Sequence, residues 1–304
     1  MQPIRFTLTK GIEILCQKMK GGSCMLNYKI VGNAMQQVVV ELGANQIMYS
    51  EAGKFLWKTD NINFETTFNV SDKKGHFEEK GGGGFLGKFM DTAVTVGKRK
   101  LAGESAAFQV FNVTNGQNGL VTFAQTIPGE IKALNVEDFG ELYVQKDGFL
   151  AAENTVDFDI ALTKKVGAGM FGGEGFILEK FSDKGTLFIG ACGNFIELNP
   201  ADYGGKIQID TGALVAFDRN IQYDVEWVGK SVGQVAKNLL FGGEGLFLAT
   251  LSGNGKVILQ SMNITTLART LFRNATKSSP EDRSSGNMLG GLGSLLGELS
   301  GDKY

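Results

Sequence analysis

Apolar and polar residues alternate with a period of two in three separate stretches of the chain. In "TVDFDIAL", Val156, Phe158, Ile160 and Leu162 share one parity. In "NIQYDVEW", Ile221, Tyr223, Val225 and Trp227 do so, with Gln222, Asp224 and Glu226 between them. Ile62, Phe64 and Phe68 repeat the pattern in "NINFETTF". Successive side chains of a strand point to opposite faces, so this alternation predicts half-buried strands. Each stretch follows a Gly and an apolar run: "GKFLWKTD" from Gly53, "GFLAAEN" from Gly148 and "GALVAFD" from Gly212. Each turns at Asp60, Asn154 or Asp218.

A second segment recurs downstream of each. "MFGGEGFILEKFSDKGTLFI" spans 170–189 and "LFGGEGLFLATLSGNGKVIL" spans 240–259, while "LAGESAAFQVFNVTNGQNGLVTF" begins at Leu101. Turns at Asn115–Gly116, Lys184–Gly185 and Asn254–Gly255 predict hairpins, since type I′ turns need positive φ at both central positions. The chain therefore reads as all-β: three tandem modules of about five antiparallel strands each, at about 34–130, 131–197 and 198–262. One small sheet cannot bury its own apolar face, whereas three modules packed together can. Residues 1–26 read as an N-terminal extension to a single β domain at 27–262, and 263–304 as a C-terminal tail. Short inserted helices are predicted between the halves of each module. In "GKSVGQVAKNLLF", Val232, Val235, Ala236, Leu239 and Leu240 fall at helical spacing, with Ser231 as the cap. The first module carries a longer insert, 73–100. Its glycine run and Phe85, Leu86, Phe89, Met90 and Ala93 read as a flexible hinge and a short amphipathic helix.

Composition narrows the function classes. Of 304 residues, 42% are hydrophobic, enough for a sizeable core, and 43 glycines against 4 prolines fit a fold of tight turns. A net charge of −2 supplies no basic field for nucleic acid, so no DNA partner is expected. Cys16, Cys24 and Cys192 form no C-x-x-C pair, which argues against a disulfide framework or a zinc site. The N-terminal stretch lacks the apolar core of a secretory signal, and no run of about 18 apolar residues is present. A cytoplasmic location is the resulting expectation.

"NYKIVGNAMQQVVVELGANQIMYSEAGKFLWKTDNINFET", residues 27–66, resembles the opening of the bacterial branch of the altered-inheritance-of-mitochondria (mitochondrial biogenesis) family. The "SEAGKFLW" strand, the Gly-rich insert before "LAGES" and the two "FGGEG" hairpins extend the likeness over about 27–262. The resemblance implies a fold like that of the tryptophan RNA-binding attenuation protein (TRAP), a distorted double-stranded β-helix or sandwich. It also implies a non-enzymatic role, with no catalytic residues to carry over. No residues match the tryptophan pocket or the RNA-contacting lysines of TRAP.

Candidate chemistry is sparse. The one histidine, His76, sits in "KKGHFEEKGG" and reads as a solvated loop residue; no G-x-S-x-G accompanies it. Glu104, Glu174 and Glu244 each follow Gly at one place in the repeat. A ring of three carboxylates would suit a cation, but the simpler reading, that each braces its own turn, follows from the repeat alone. "GGGGFLGKF" lacks the G-K-[ST] of a phosphate loop, because Phe89 follows Lys88. Lys98, Arg99 and Lys100 are too short a basic run for RNA. No cofactor or metal is expected.

In the tail, Met288, Leu289, Leu292, Leu295, Leu296 and Leu299 trace one helical face, weakened by Gly290, Gly291, Gly293 and Gly297. Such a segment suits a partner groove or a lipid surface; insert 81–97 is the second such candidate. The sequence thus points to a non-enzymatic, self-associating β scaffold that binds protein partners and forms a homo-oligomer. The alternative is a small-ligand or RNA-binding module built like TRAP.

Overall fold

The computed structural model describes residues 5–8, 12–15, 26–67, 108–164, 176–227, 247–264, 266–268, 270 and 271. Nearly every described element is a strand. β1 (Arg5–Leu8) and β2 (Ile12–Leu15) pair as an antiparallel hairpin, and β3 (Asn27–Val31) leads into three successive sets of six strands. The first set is β4 (Gln37–Leu42), β5 (Ile47–Glu51), β6 (Phe55–Lys58), β7 (Ile62–Thr67), β8 (Phe108–Val113) and β9 (Gly119–Ala124). The second is β10 (Ile131–Asn135), β11 (Glu141–Gln145), β12 (Phe149–Glu153), β13 (Val156–Lys164), β14 (Phe176–Asp183) and β15 (Thr186–Gly190). The third is β16 (Phe195–Leu198), β17 (Lys206–Asp210), β18 (Leu214–Asp218), β19 (Ile221–Trp227), β20 (Phe247–Gly253) and β21 (Val257–Gln260).

Hydrogen bonding repeats from set to set. The sixth strand always lies between the first and third, and the fifth between the second and fourth. The second strand of one set then pairs with the third of the next, as β5 with β12 and β11 with β18. Two six-stranded sheets result, β10-β15-β12-β5-β8-β7 and β13-β14-β11-β18-β21-β16. A four-stranded sheet, β3-β4-β9-β6, and a three-stranded sheet, β17-β20-β19, remain at the two ends. Even the irregularities recur: the third strand shifts register by one residue at Leu56, Leu150 and Val215.

Each set encloses its own apolar cluster. Val40, Leu42, Phe111 and Phe123 belong to the first, Tyr49, Phe149, Phe181 and Leu187 to the second, and Leu214, Phe217, Leu251 and Val257 to the third. Alternation along a strand serves two clusters at once. On β8, Phe111 and Val113 face the first cluster while Phe108 and Val110 face the second. Each fully buried Phe contributes about 1.5–3 kcal/mol, so these shared sheets bind the sets to one another.

The end of each third strand is fastened by a side chain whose type varies while its task does not. Thr59 Oγ1 accepts the Leu120 N–H at 2.9 Å, Glu153 Oε2 that of Thr186 at 2.6 Å, and Asp218 Oδ2 that of Lys256 at 2.6 Å. Each acceptor takes up the backbone donor at the start of the sixth strand.

Several sequence expectations need correction. Each set holds six strands rather than five, because the short opening strands β10 and β16 lack clear alternation. The third set opens at Phe195, ahead of the expected boundary at 198. The hairpins predicted at Asn115–Gly116, Lys184–Gly185 and Asn254–Gly255 do not form: β8 and β9, β14 and β15, and β20 and β21 lie in different sheets, so each turn passes the chain from one sheet to another. Among the described residues Asp183 (φ 68) is the one non-glycine with positive φ. Asn115, Lys184 and Asn254 therefore do not open type I′ turns. Chain contacts divide the protein into Met1–Thr265 and Thr266–Tyr304. The described residues of the second unit are helical, with Thr270 Oγ1 donating to the Thr266 carbonyl at 2.8 Å.

Candidate interaction surface

The first set carries an aromatic cluster that runs from core to surface. Phe111 and Phe123 are fully buried and meet edge to face at 5.2 Å. Phe55 stacks on Phe111 at 5.5 Å and on Phe64 at 5.7 Å. Phe64 itself is 41% exposed, while Leu56 and Trp57 on β6 are 54% and 37% exposed. The equivalents of Leu56, Leu150 and Val215, are buried, as are those of Trp57, Ala151 and Ala216. Large apolar side chains thus stand in water at the one third strand that no second strand covers among the described residues.

Where the sets meet, backbones approach closely and carboxylates are tightly held. Gly129 bridges Met35 on one side and Gly193 on the other. Gln36 Oε1 accepts the Ile131 N–H at 2.6 Å, and at the next junction Glu130 Oε2 accepts the Phe195 N–H at 2.9 Å. That backbone bond, together with the Asn194 side chain at 2.8 Å, holds the Glu130 carboxyl below its usual range. On β16, Glu197 pairs with Lys132 and, at 2.9 Å, with Lys256, and these donors lower its pKa too. Carboxyls lowered on folding stabilise fully above their ordinary value of 4.5, and that contribution is lost as pH falls through the lower folded values. Acid titration of unfolding should therefore show stability falling below that value, and Glu130→Gln should flatten the fall while lowering stability at neutral pH.

A shallow depression beside β3 and β4 is lined by Asn27, Glu41, Gly43, Gln46 and Asn118. Its carboxylate is already engaged: Glu41 accepts from the Asn27 and Asn118 amides, both at 3.1 Å. Gln46 Oε1 accepts the Gly43 N–H at 2.9 Å. Cys192 is buried, and burial pushes its thiol pKa up, so the protonated form dominates. Among the described residues no three His, Cys, Asp or Glu side chains gather where they could hold a metal ion. No helix among them is long and apolar enough to cross a membrane.

Most residues singled out from the sequence lie outside the described residues: His76, Glu104, Glu174, Glu244, Lys98–Lys100, the insert 81–97, the 229–241 segment, and tail residues Met288, Leu289, Leu292, Leu295, Leu296 and Leu299. Leu56 and the edge it occupies were readable in sequence only as part of an apolar strand.

Fold and surface together define an all-β protein of repeated strand sets that presents apolar side chains on an open sheet edge. Residues 28–262 match the family described as Mitochondrial biogenesis AIM24, and the chain belongs to that family. It is 26% identical over 247 residues to the Streptococcus pyogenes serotype M6 protein named "Uncharacterized protein M6_Spy0233", covering 80% of this chain and 89% of that one. Its fold is similar to the crystal structure of protein SPYM3_0169 from Streptococcus pyogenes. The TM-score is 0.60 at 22% identity, over 82% of this chain and 99% of the other.

Proposed function

We propose that this protein is a non-enzymatic structural component, a self-associating β scaffold that binds protein partners. The observation that carries the reading is the exposure of Leu56 and Trp57 on an open sheet edge, at positions whose equivalents are buried in the other two sets. An unpaired strand edge with apolar side chains is a template for another chain, and proteins that stay apart blunt such edges with charge or proline. Family membership accords with a structural role, as the sequence resemblance implied. The amphipathic tail segment 288–299 supplies a second contact for partners.

Affinity capture from the native host, comparing the full chain with one ending at Ser261 and with Leu56→Asp/Trp57→Asp, tests this reading. The full chain should recover a defined set of proteins, and both variants should recover less. Equal recovery by all three, or steady turnover of a small molecule by the purified chain, would overturn it.

A further inference from the structure

Apart from β3, the two end sheets together hold the same six strand types as each complete six-stranded sheet. Each complete six-stranded sheet joins three strands of one set (second, fifth and fourth) to three of the next (first, sixth and third). The four-stranded sheet holds the first, sixth and third strands of set one, ending at β6; the three-stranded sheet holds the second, fifth and fourth strands of set three, ending at β17. Among the described residues β6 is a third strand with no second strand beside it, and β17 is a second strand with no third. Among the described residues neither pairs with the other. We infer that β17 of one copy pairs antiparallel with β6 of another, so that copies join head to tail and complete the missing sheet between them. This deepens the scaffold reading and rests on it.

The existing joins fix the register. Tyr49 faces Ala152 in the first and Tyr143 faces Phe217 in the second, with the Asn154 N–H donating to the Ile47 carbonyl at 3.0 Å and the Arg219 N–H to the Glu141 carbonyl at 3.1 Å. The same operation sets Gln208 opposite Lys58, Ile209 opposite Trp57 and Ile207 opposite Thr59 of the neighbouring copy. It also points the Asp60 N–H at the Lys206 carbonyl. Three independent features suit this arrangement. The Thr59 N–H is spent on the Leu120 carbonyl at 2.9 Å, so the Lys58 N–H points out of the sheet toward an incoming strand. Asp60 would face Lys206, opposite charges across the seam, as Arg219 faces Glu141 within the chain. Leu150 enters the first apolar cluster and Val215 the second, so Leu56 would enter the third cluster of the neighbouring copy, around Leu251 and Val257. A heterologous contact of this kind closes into a ring or extends as a filament, according to the rotation per copy.

Cysteine pairing tests the assignment. Trp57 and Ile209 fall at a non-hydrogen-bonded pair, where Cα atoms stand about 4.5 Å apart, within disulfide range. Trp57→Cys and Ile209→Cys are made separately in the full chain with Cys16→Ser and Cys24→Ser, mixed, and oxidised. The expected result is a covalent dimer containing one of each, absent when either variant is oxidised alone. The chain carrying both cysteines should form higher species. Lys58→Pro, which removes the outward N–H and leaves the Thr59 bond to β9 in place, should lower the sedimenting mass far more than Lys58→Ala does, with little change in melting temperature. A disulfide that forms within single chains would overturn the inference by showing that the sheet closes on itself. Assembly that survives Lys58→Pro with no mixed disulfide would overturn the edge assignment and leave the scaffold reading standing, whereas a chain monomeric throughout would overturn both.

Discussion

Gly129→Ala should leave little or no folded protein. A Cβ at this position would lie 1.8 Å from the Ala191 carbonyl oxygen and 2.8 Å from the Gly193 nitrogen. Both obstacles are backbone, so no side chain can swing aside. The same backbone is committed on two sides: the Gly129 carbonyl accepts from the Gln36 N–H at 3.2 Å, and the Glu130 N–H donates to the Gly193 carbonyl at 3.0 Å. Relief of the clash must separate the strand sets. A cost of about 4 kcal/mol or more is expected, a large part of the stability of an ordinary domain. Gly53→Ala makes a useful contrast. Gly53 has a φ of 93° but open space around it, so only conformational strain of about 1–2 kcal/mol applies. Urea unfolding of both variants would check the order; equal stability would contradict the close approach at Gly129.

The second large effect is expected at Phe111→Ala. Phe111 is fully buried and meets Phe55, Phe64 and Phe123. Its removal forfeits the transfer free energy of the ring and leaves a cavity beneath the surface aromatic residues, about 3–5 kcal/mol together. For a chain of this size that corresponds to a fall of about 5–10 °C in Tm. Loss of support beneath Phe55 and Phe64 should also weaken self-association beyond what Phe64→Ala alone produces. Calorimetry and sedimentation of the two variants would separate packing from surface effects.

These sites differ in how far the sequence exposes them. Alternation at Ile62, Val156 and Ile221 revealed the fourth strands, because one face of each meets a core and the other meets water. The turns at Gly116, Gly185 and Gly255 were legible from glycine, but the hairpins inferred from them are absent, because the strands on either side of each turn join different sheets. The opening strands were missed. β10 and β16 are short sheet edges, and "IKALN" and "FIEL" show no sustained period. The fastening of the third strands was hidden because threonine, glutamate and aspartate do the same work at Thr59, Glu153 and Asp218. Most important, edge pairing between sets depends on backbone groups. "IMYSE", "ELYVQ" and "KIQID" share no pattern that names a partner strand, yet among the described residues the first two are covered by a third strand and the last is not. An open edge is a property of topology, and topology is set by long-range contacts.

Sedimentation velocity of the full chain over a wide concentration range reads self-association itself. A species heavier than the 32.7 kDa chain should appear and grow with concentration, and Leu56→Asp/Trp57→Asp should suppress it. A single 32.7 kDa species at every concentration, unchanged by that variant, would contradict the account.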